Sequence, residues 1–308
     1  MAARSSKPFV SIIVPVCNES ESVEPLLREI EKHLPLDFRY ELLFVDDGST
    51  DDTAKRIRAL RSKKLKIRLI EFSRNFGKEA AILCGVTHVK ADAAIIMDGD
   101  LQHPPALLPE LLAAWNQGYD IVEGVKTARG RESRLFSLIV DIFYRLLKIF
   151  SGVSLRGASD FKLLDRRAVE ALQNMPERNI FFRGMVHWVG FSVATIPFAV
   201  EERLAGKTRW TLWQLAGLAI TGVLSFTSYP LRLVTIGGFL FMIFGVALAG
   251  QTLYNKYQLN NDVSGTATIV ILILITGSLI LLGLGIIGEY LARIYTEIKE
   301  RPRYIVKR

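Results

Sequence analysis

Along the first 125 residues, short apolar runs rich in β-branched side chains alternate with stretches of helical spacing. The runs at 9–16, 40–45, 66–72, 93–97 and 120–125 predict strands. Between them, residues 22–33, 53–60, 78–88 and 106–115 repeat apolar positions at three- and four-residue intervals and predict helices. Strand and helix alternating in this way predict a parallel α/β sheet of Rossmann-like type, whose ligands bind beyond the carboxyl ends of the strands.

The pattern changes in the back half. Residues 233–253 and 266–288 are uncharged stretches of 21 and 23 residues, long enough at 1.5 Å per residue to cross a hydrocarbon core of about 30 Å. Two transmembrane helices are expected, joined by a link holding Lys256 and Asp262. Arg232 precedes the first, and Arg293, Lys299, Arg301, Arg303, Lys307 and Arg308 follow the second, so the positive-inside rule predicts both termini in the cytoplasm. Residues 135–150 place Leu135, Leu138, Ile139, Ile142, Phe143, Leu146 and Ile149 on one face, the pattern of a helix lying in a membrane interface or packed on a soluble core. The uncharged stretch 211–229, with Trp210, Trp213 and Tyr229, reads as a juxtamembrane helix. The expected organisation is a catalytic domain over 1–205 carrying the interfacial helix near 133–150, a juxtamembrane helix over 206–231, two spans within 232–290 and a basic cytosolic tail over 291–308.

Charge sharpens this division. The 308 residues hold 39 Lys+Arg against 31 Asp+Glu, but residues 1–125 are net −3 and residues 126–308 net +11. An acidic front and a basic, apolar back fit a cytosolic domain held at an anionic membrane surface and argue against nucleic acid as a partner. Disorder, collagen and a disulfide-stapled miniprotein are excluded by 50% hydrophobic residues and two cysteines. Cys17 and Cys84 lack any metal-ligand spacing and read as buried apolar residues. The apolar run at 9–16 is short and holds Pro15, so it reads as a first strand and not as a signal peptide.

Polar residues gather where the predicted strands end: Pro15 to Glu19, Asp46 to Asp51, Ser73 to Lys78 and Asp98 to Gln102. Asp98 and Asp100 flank Gly99 directly after a buried run. Two hard oxygen ligands on a tight turn suit Mg²⁺ or Mn²⁺ carrying a diphosphate. Asp51 and Asp52 are expected to cap the following helix, and His103 could approach the metal, although before two prolines it reads as a turn residue.

Four segments in order, Val-Pro-Val-Cys-Asn-Glu (14–19), Val-Asp-Asp-Gly-Ser (45–49), Arg-Asn-Phe-Gly-Lys-Glu (74–79) and Asp-Gly-Asp-Leu-Gln-His-Pro-Pro (98–105), resemble family 2 glycosyltransferases of the GT-A fold. The branch is that of dolichyl-phosphate mannose synthases and bacterial polyprenyl-phosphate glycosyltransferases, with the likeness strongest to enzymes that load glucose onto undecaprenyl phosphate for O-antigen modification. It extends through Ser-Asp-Phe-Lys-Leu (159–163), Pro-Glu-Arg-Asn (176–179), Glu-Arg-Leu-Ala-Gly-Lys-Thr (202–208) and Gly-Glu-Tyr-Leu-Ala-Arg-Ile-Tyr (288–295) to Arg-Pro-Arg-Tyr (301–304).

The resemblance implies a GT-A nucleotide-sugar-binding domain followed by interfacial helices and a two-helix transmembrane hairpin. Pro15, Asn18, Glu19, Asp46 and Asp47 would hold the nucleoside, Lys78, Gly99 and Gln102 would lie near the donor, and Asp98 and Asp100 would carry the metal and diphosphate. Asp160 matches the acidic residue proposed as catalytic in relatives. Lys126, Arg129, Arg203 and Lys207 would grip the acceptor phosphate, with Lys126 replacing the arginine of many relatives and so trading a bidentate fork for a point charge. The implied reaction is inverting transfer of glucose from UDP-glucose to a polyprenyl phosphate at the bacterial inner membrane, by a homo-oligomer for which relatives suggest a tetramer. Because a phosphate monoester has a second pKa near 6, the acceptor is mostly dianionic at pH 7, leaving Asp160 to orient it or to take a residual proton. A processive polysaccharide synthase is disfavoured: Arg209-Trp210 is present, but Gly206 stands where such enzymes carry glutamine.

Overall fold

A computed structural model describes residues 7–126, 158–178, 180–199, 229–258 and 265–307. The chain divides into two units, residues 1–222 with 301–308, and residues 223–300. In the first unit, β1 (Phe9–Val16), α1 (Val23–His33), β2 (Arg39–Asp46), α2 (Thr53–Ala59), β3 (Leu65–Glu71), α3 (Lys78–His88), β4 (Ala93–Ile96), α4 (Leu108–Asn116) and β5 (Ile121–Lys126) follow the predicted alternation. A 3₁₀ turn at Pro105–Leu107 takes the place of the expected first turn of α4, because Pro105 and Pro109 supply no N–H there. After β5 come β6 (Ala158–Asp165), α5 (Arg166–Gln173), α6 (Phe182–Trp188) and β7 (Val193–Phe198).

The sheet has seven strands in the order β3-β2-β1-β4-β6-β5-β7. Its front is parallel, as predicted, with β1 paired to β2 and β4, and β2 to β3. The expectation of a wholly parallel sheet is corrected by β6, which runs antiparallel between β4 and β5. This strand evaded the apolar signature because Asp160 and Lys162 occupy alternate positions, yet both are buried, with Lys162 wholly inaccessible. The Lys162 ammonium meets the Glu123 carboxylate on β5, and His187 Nε2 lies 3.3 Å from the same carboxylate. Paired this way, charges sit in a strand that would otherwise not be buried.

Alternation along the strands feeds two cores. Val10, Ile12, Val14, Leu42 and Phe44 pack with Leu26, Leu111 and Trp115 of α1 and α4. Ile13, Leu43 and Val45 pack on the other face with α3, α5 and α6. The Trp115 indole N–H donates to Asp165 at 2.7 Å, satisfying the one polar atom of an otherwise apolar ring.

Edge strand β3 does not end the sheet bare. The chain's last described residues return to it: the Ser73 N–H donates to the Ile305 carbonyl at 2.9 Å, the Lys307 N–H donates to the Glu71 carbonyl at 2.7 Å, and Phe72 bridges Val306 antiparallel. The Tyr304 ring stacks on Phe72 with centroids 5.0 Å apart. Arg303 donates to the Met175 carbonyl, so part of the basic tail that sequence assigned to the membrane surface is bound to protein, covering a strand edge that would otherwise invite pairing.

The second unit contains α7 (Tyr229–Gln258) and α8 (Thr266–Ile298). Pro230 stands in the first turn of α7, where its missing N–H costs nothing. The helices touch at Gly283, where an added Cβ would lie 3.0 Å from Val234 Cγ1. By length and composition, Ile275–Ile298 is apolar enough to cross a membrane, and Val234–Leu248 is a shorter apolar stretch.

Candidate active site

The carboxyl ends of β1, β2 and β4 open onto a cleft of about 380 Å³. Of the residues singled out in the sequence, Pro15, Glu19, Asp47, Lys78, Asp98, Gly99 and Asp100 line it. Val16, Asn75 and Gly77 line it too and were not singled out, although all lie inside the quoted motifs, and Cys17, expected as a buried apolar residue, is instead only partly buried and lines it as well. Gly99 is there because nothing larger fits: a Cβ would run into the Glu19 carboxylate.

Several of the polar residues build the loops around this cleft. Asp47 accepts the Phe76 N–H at 2.6 Å and the Gly77 N–H at 2.9 Å, fixing the turn that delivers Lys78. Burial, and Asp46 beside it, push the Asp47 carboxyl upward against these two amides, and the net direction is up. Asp46 accepts from the Ser49 amide and hydroxyl at 3.0 and 2.5 Å. Asn18, in a left-handed conformation at φ 56°, accepts the Thr50 N–H at 2.8 Å. Asn18, Asp46 and Gln102 are not among the cleft's lining residues. Gln102 donates its backbone N–H to Asp100 at 3.1 Å. Of the two expected caps, Asp51 accepts the Thr53 N–H at 3.0 Å, whereas Asp52 makes no side-chain cap.

A row of alternating charge runs inward from the glycine turn. Lys78 Nζ lies 2.6 Å from Asp98 Oδ1 and 2.8 Å from Asp160 Oδ2. Arg183, near the start of α6, forks onto Asp160, with Nε 2.7 Å from Oδ1 and a terminal nitrogen 3.0 Å from Oδ2. Burial opposes ionisation of Asp160, but Lys78 and Arg183 outweigh it and hold its carboxyl well below the usual carboxylate range. Burial likewise lowers the Lys78 affinity for its proton, and Asp98 and Asp160 more than reverse that. The Asp98 carboxyl is held down, against burial, by His103 and Lys78.

His103 lies at a bend, as expected, and beside Asp98. It is buried, stacked on Phe161 with centroids 5.1 Å apart, and its Nδ1 accepts the Asp98 N–H at 3.0 Å. A neutral ring therefore carries its proton on Nε2, 3.7 Å from Asp98 Oδ2. Among the described residues no group of three or more His, Cys, Asp or Glu side chains converges as a complete metal site. Asp98 and Asp100 offer two carboxylates, which is what an ion completed by phosphate oxygens and water requires.

Arg183 was not singled out in the sequence, where no spacing links it to Asp160; only the fold joins α6 to β6. Lys126 ends β5, and its side chain lies outside the described residues, as do Arg129, Arg203, Lys207 and the stretches 133–150 and 206–228.

Residues 11–172 match the family model described as glycosyl transferase family 2. The chain belongs to this family. Relatives align over nearly the whole length. A putative glycosyltransferase CsbB of Bacillus subtilis is 38% identical over 97% of this chain and 91% of its own. An uncharacterized glycosyltransferase sll0501 of Synechocystis is 36% identical, covering 96% of this chain and 94% of its own. A prophage-derived bactoprenol glucosyl transferase of Shigella flexneri is 34% identical over 97% of each chain. Among solved structures, glucosyl-3-phosphoglycerate synthase of Mycobacterium tuberculosis superposes with a TM-score of 0.52 at 19% identity, over 71% of this chain and 81% of that one, a likeness of fold. This glycosyltransferase thus carries a GT-A-like mixed sheet, with Glu19, Asp47, Lys78, Asp98 and Asp100 around one strand-end cleft.

Proposed function

We propose that this glycosyltransferase moves glucose from UDP-glucose to the phosphate of a polyprenyl phosphate, undecaprenyl phosphate in a bacterial membrane, with inversion at the anomeric carbon. The observation that carries the reading is the row Asp98, Lys78, Asp160, Arg183, which sets Lys78 between two carboxylates and Arg183 behind Asp160, beside a strand-end cleft of about 380 Å³. Relatives named bactoprenol glucosyl transferase support the acceptor class.

Pro15, Glu19 and Asp47, with Cys17 and Asn75, would take the nucleoside, and the turn at Asp98, Gly99 and Asp100 the diphosphate. Mg²⁺ or Mn²⁺ held by Asp98 and Asp100 would neutralise charge on the departing nucleoside diphosphate. An acceptor phosphate oxygen forms the new bond to the anomeric carbon as the bond to the diphosphate breaks. That oxygen needs no base, since a phosphate monoester is already mostly dianionic at pH 7. Asp160, clamped by Lys78 and Arg183, is a poor proton acceptor, and its role in this reading is to hold those two cations where phosphates of donor and acceptor meet. Lys126, Arg129, Arg203 and Lys207 would complete the acceptor site, and α7 and α8 would form the membrane hairpin. Phe239, Leu240, Ile243, Leu281 and Leu282 are all at least half exposed, an apolar surface suited to lipid or to other subunits of a homo-oligomer. The catalytic domain would lie on the cytoplasmic side, a reading that the basic flanks of the spans support.

A donor panel tests the reading. Purified protein titrated with UDP-glucose, other UDP-sugars and GDP-mannose, with and without Mn²⁺, should bind the uridine donors and do so at least tenfold more tightly with the ion. Metal-independent binding, or preference for GDP-mannose, would contradict the assigned donor site.

A further inference from the structure

Glu79 follows Lys78 at the second position of α3, and its Oε2 accepts the Phe182 N–H at 2.8 Å, across 103 residues of sequence. The residue after Phe182 is Arg183. One hydrogen bond therefore joins the two segments that deliver cations to Asp160, from Lys78 on one side and Arg183 on the other. Helix α6 is seven residues long, below the roughly 12 at which an isolated helix becomes even marginal. Its preceding residue, Phe181, gives no side-chain cap, so Glu79 satisfies one of the helix's first N–H groups. The Phe182 ring is fully buried in the core shared with α3, which brings that N–H within reach of Glu79.

We propose that Glu79 is a positioning residue of the transfer reaction: it fixes the start of α6 so that Arg183 closes on Asp160 opposite Lys78. The inference rests on the reading above for what the clamp serves, but not for the contact itself. Burial, then the negative charge of Asp160, raise the Glu79 carboxyl to about 7, and the Phe182 N–H, Arg183 and Lys78 act against them. Protonated or not, it retains an oxygen that accepts the amide.

The test uses the full-length protein with UDP-glucose and polyprenyl phosphate. Glu79→Ala should lower turnover at least tenfold with UDP affinity within about twofold of wild type, whereas Glu79→Gln, which keeps a carbonyl acceptor, should stay within about threefold on both. In a double-mutant cycle, Glu79→Ala should add less than twofold to the loss caused by Arg183→Ala, because both remove the same interaction. Wild-type turnover in Glu79→Ala, equal loss in Glu79→Gln, or multiplicative losses in the cycle would overturn the proposal. If Glu79→Ala does not fold, Glu79→Asp, one methylene too short to reach Phe182, takes its place with the same expectation. Hydrogen exchange separates this inference from the reading on which it rests: exchange across 180–188 should quicken at least tenfold in Glu79→Ala and stay as wild type in Glu79→Gln. Unchanged exchange in Glu79→Ala would sink the positioning role whatever the enzyme's substrate.

Discussion

Arg183 forks onto Asp160, its Nε 2.7 Å from one carboxylate oxygen and a terminal nitrogen 3.0 Å from the other, while Lys78 binds that second oxygen at 2.8 Å. A carboxylate held by three charge-assisted bonds is an anchor for cations and a weak base.

Removing the anchor should therefore cost orientation and not donor affinity. Asp160→Asn should lower turnover about 10²-fold, the scale of a roughly 1 Å misplacement, with UDP binding within about twofold. Steady-state kinetics alongside calorimetric UDP titration check this. A turnover within about twofold of wild type would remove Asp160 from the reaction.

Glu79 should leave a mark on stability against pH. Its folded value, about 7, is raised above the ordinary 4.5. The sign follows: the folded state favours the neutral acid, so its contribution is complete below about pH 4.5 and fades as pH rises through 7. The melting temperature of Glu79→Gln minus that of wild type should rise between pH 4.5 and 7.5. A flat difference would mean that Glu79 titrates normally.

The buried pair of Lys162 and Glu123 should be fragile to single changes. Lys162→Met leaves Glu123 with His187 as its one remaining charge partner and should cost about 3 kcal/mol in urea unfolding of the protein, the lower end of the usual scale for half a buried pair. Adding Glu123→Leu should restore more than half of that loss, since the ion pair is then gone whole and His187 beside it stays neutral. Equal instability in the double variant would show that the pair itself contributes net stability.

The returning tail should matter as packing. Tyr304→Ala removes the ring stacked on Phe72 and should lower stability by about 1–2 kcal/mol, aromatic pairing plus part of the ring's burial. Limited proteolysis should then cut after residue 300 sooner than in wild type. Unchanged cleavage would mean that the backbone pairing with Glu71 and Ser73 holds the segment alone.

Much of this was legible in the sequence, for a physical reason. Strands β1, β2 and β4 are buried on both faces, so they read as near-continuous apolar runs, and the motifs at their ends sit where a parallel sheet puts its ligands. Strand β6 was hidden because Asp160 and Lys162 interrupt its apolar pattern, and their partners Arg183 and Glu123 are distant in sequence. Strand β7 was hidden because its Val193 edge is partly exposed and Pro197 interrupts the run. The bend at His103 was legible from the prolines that follow it, but its burial was not, because stacking on Phe161 is a tertiary contact that no local spacing signals. The Glu79 contact is of the same kind, 103 residues apart in sequence and one hydrogen bond apart in space.

Transfer of a sugar to a lipid phosphate is tested most directly in membranes. Membranes carrying the protein, incubated with radiolabelled UDP-glucose and undecaprenyl phosphate, should yield a chloroform-soluble labelled lipid that is absent with Asp98→Ala. Label in an insoluble polymer, or no lipid product from a folded wild-type protein across the donor panel, would contradict it.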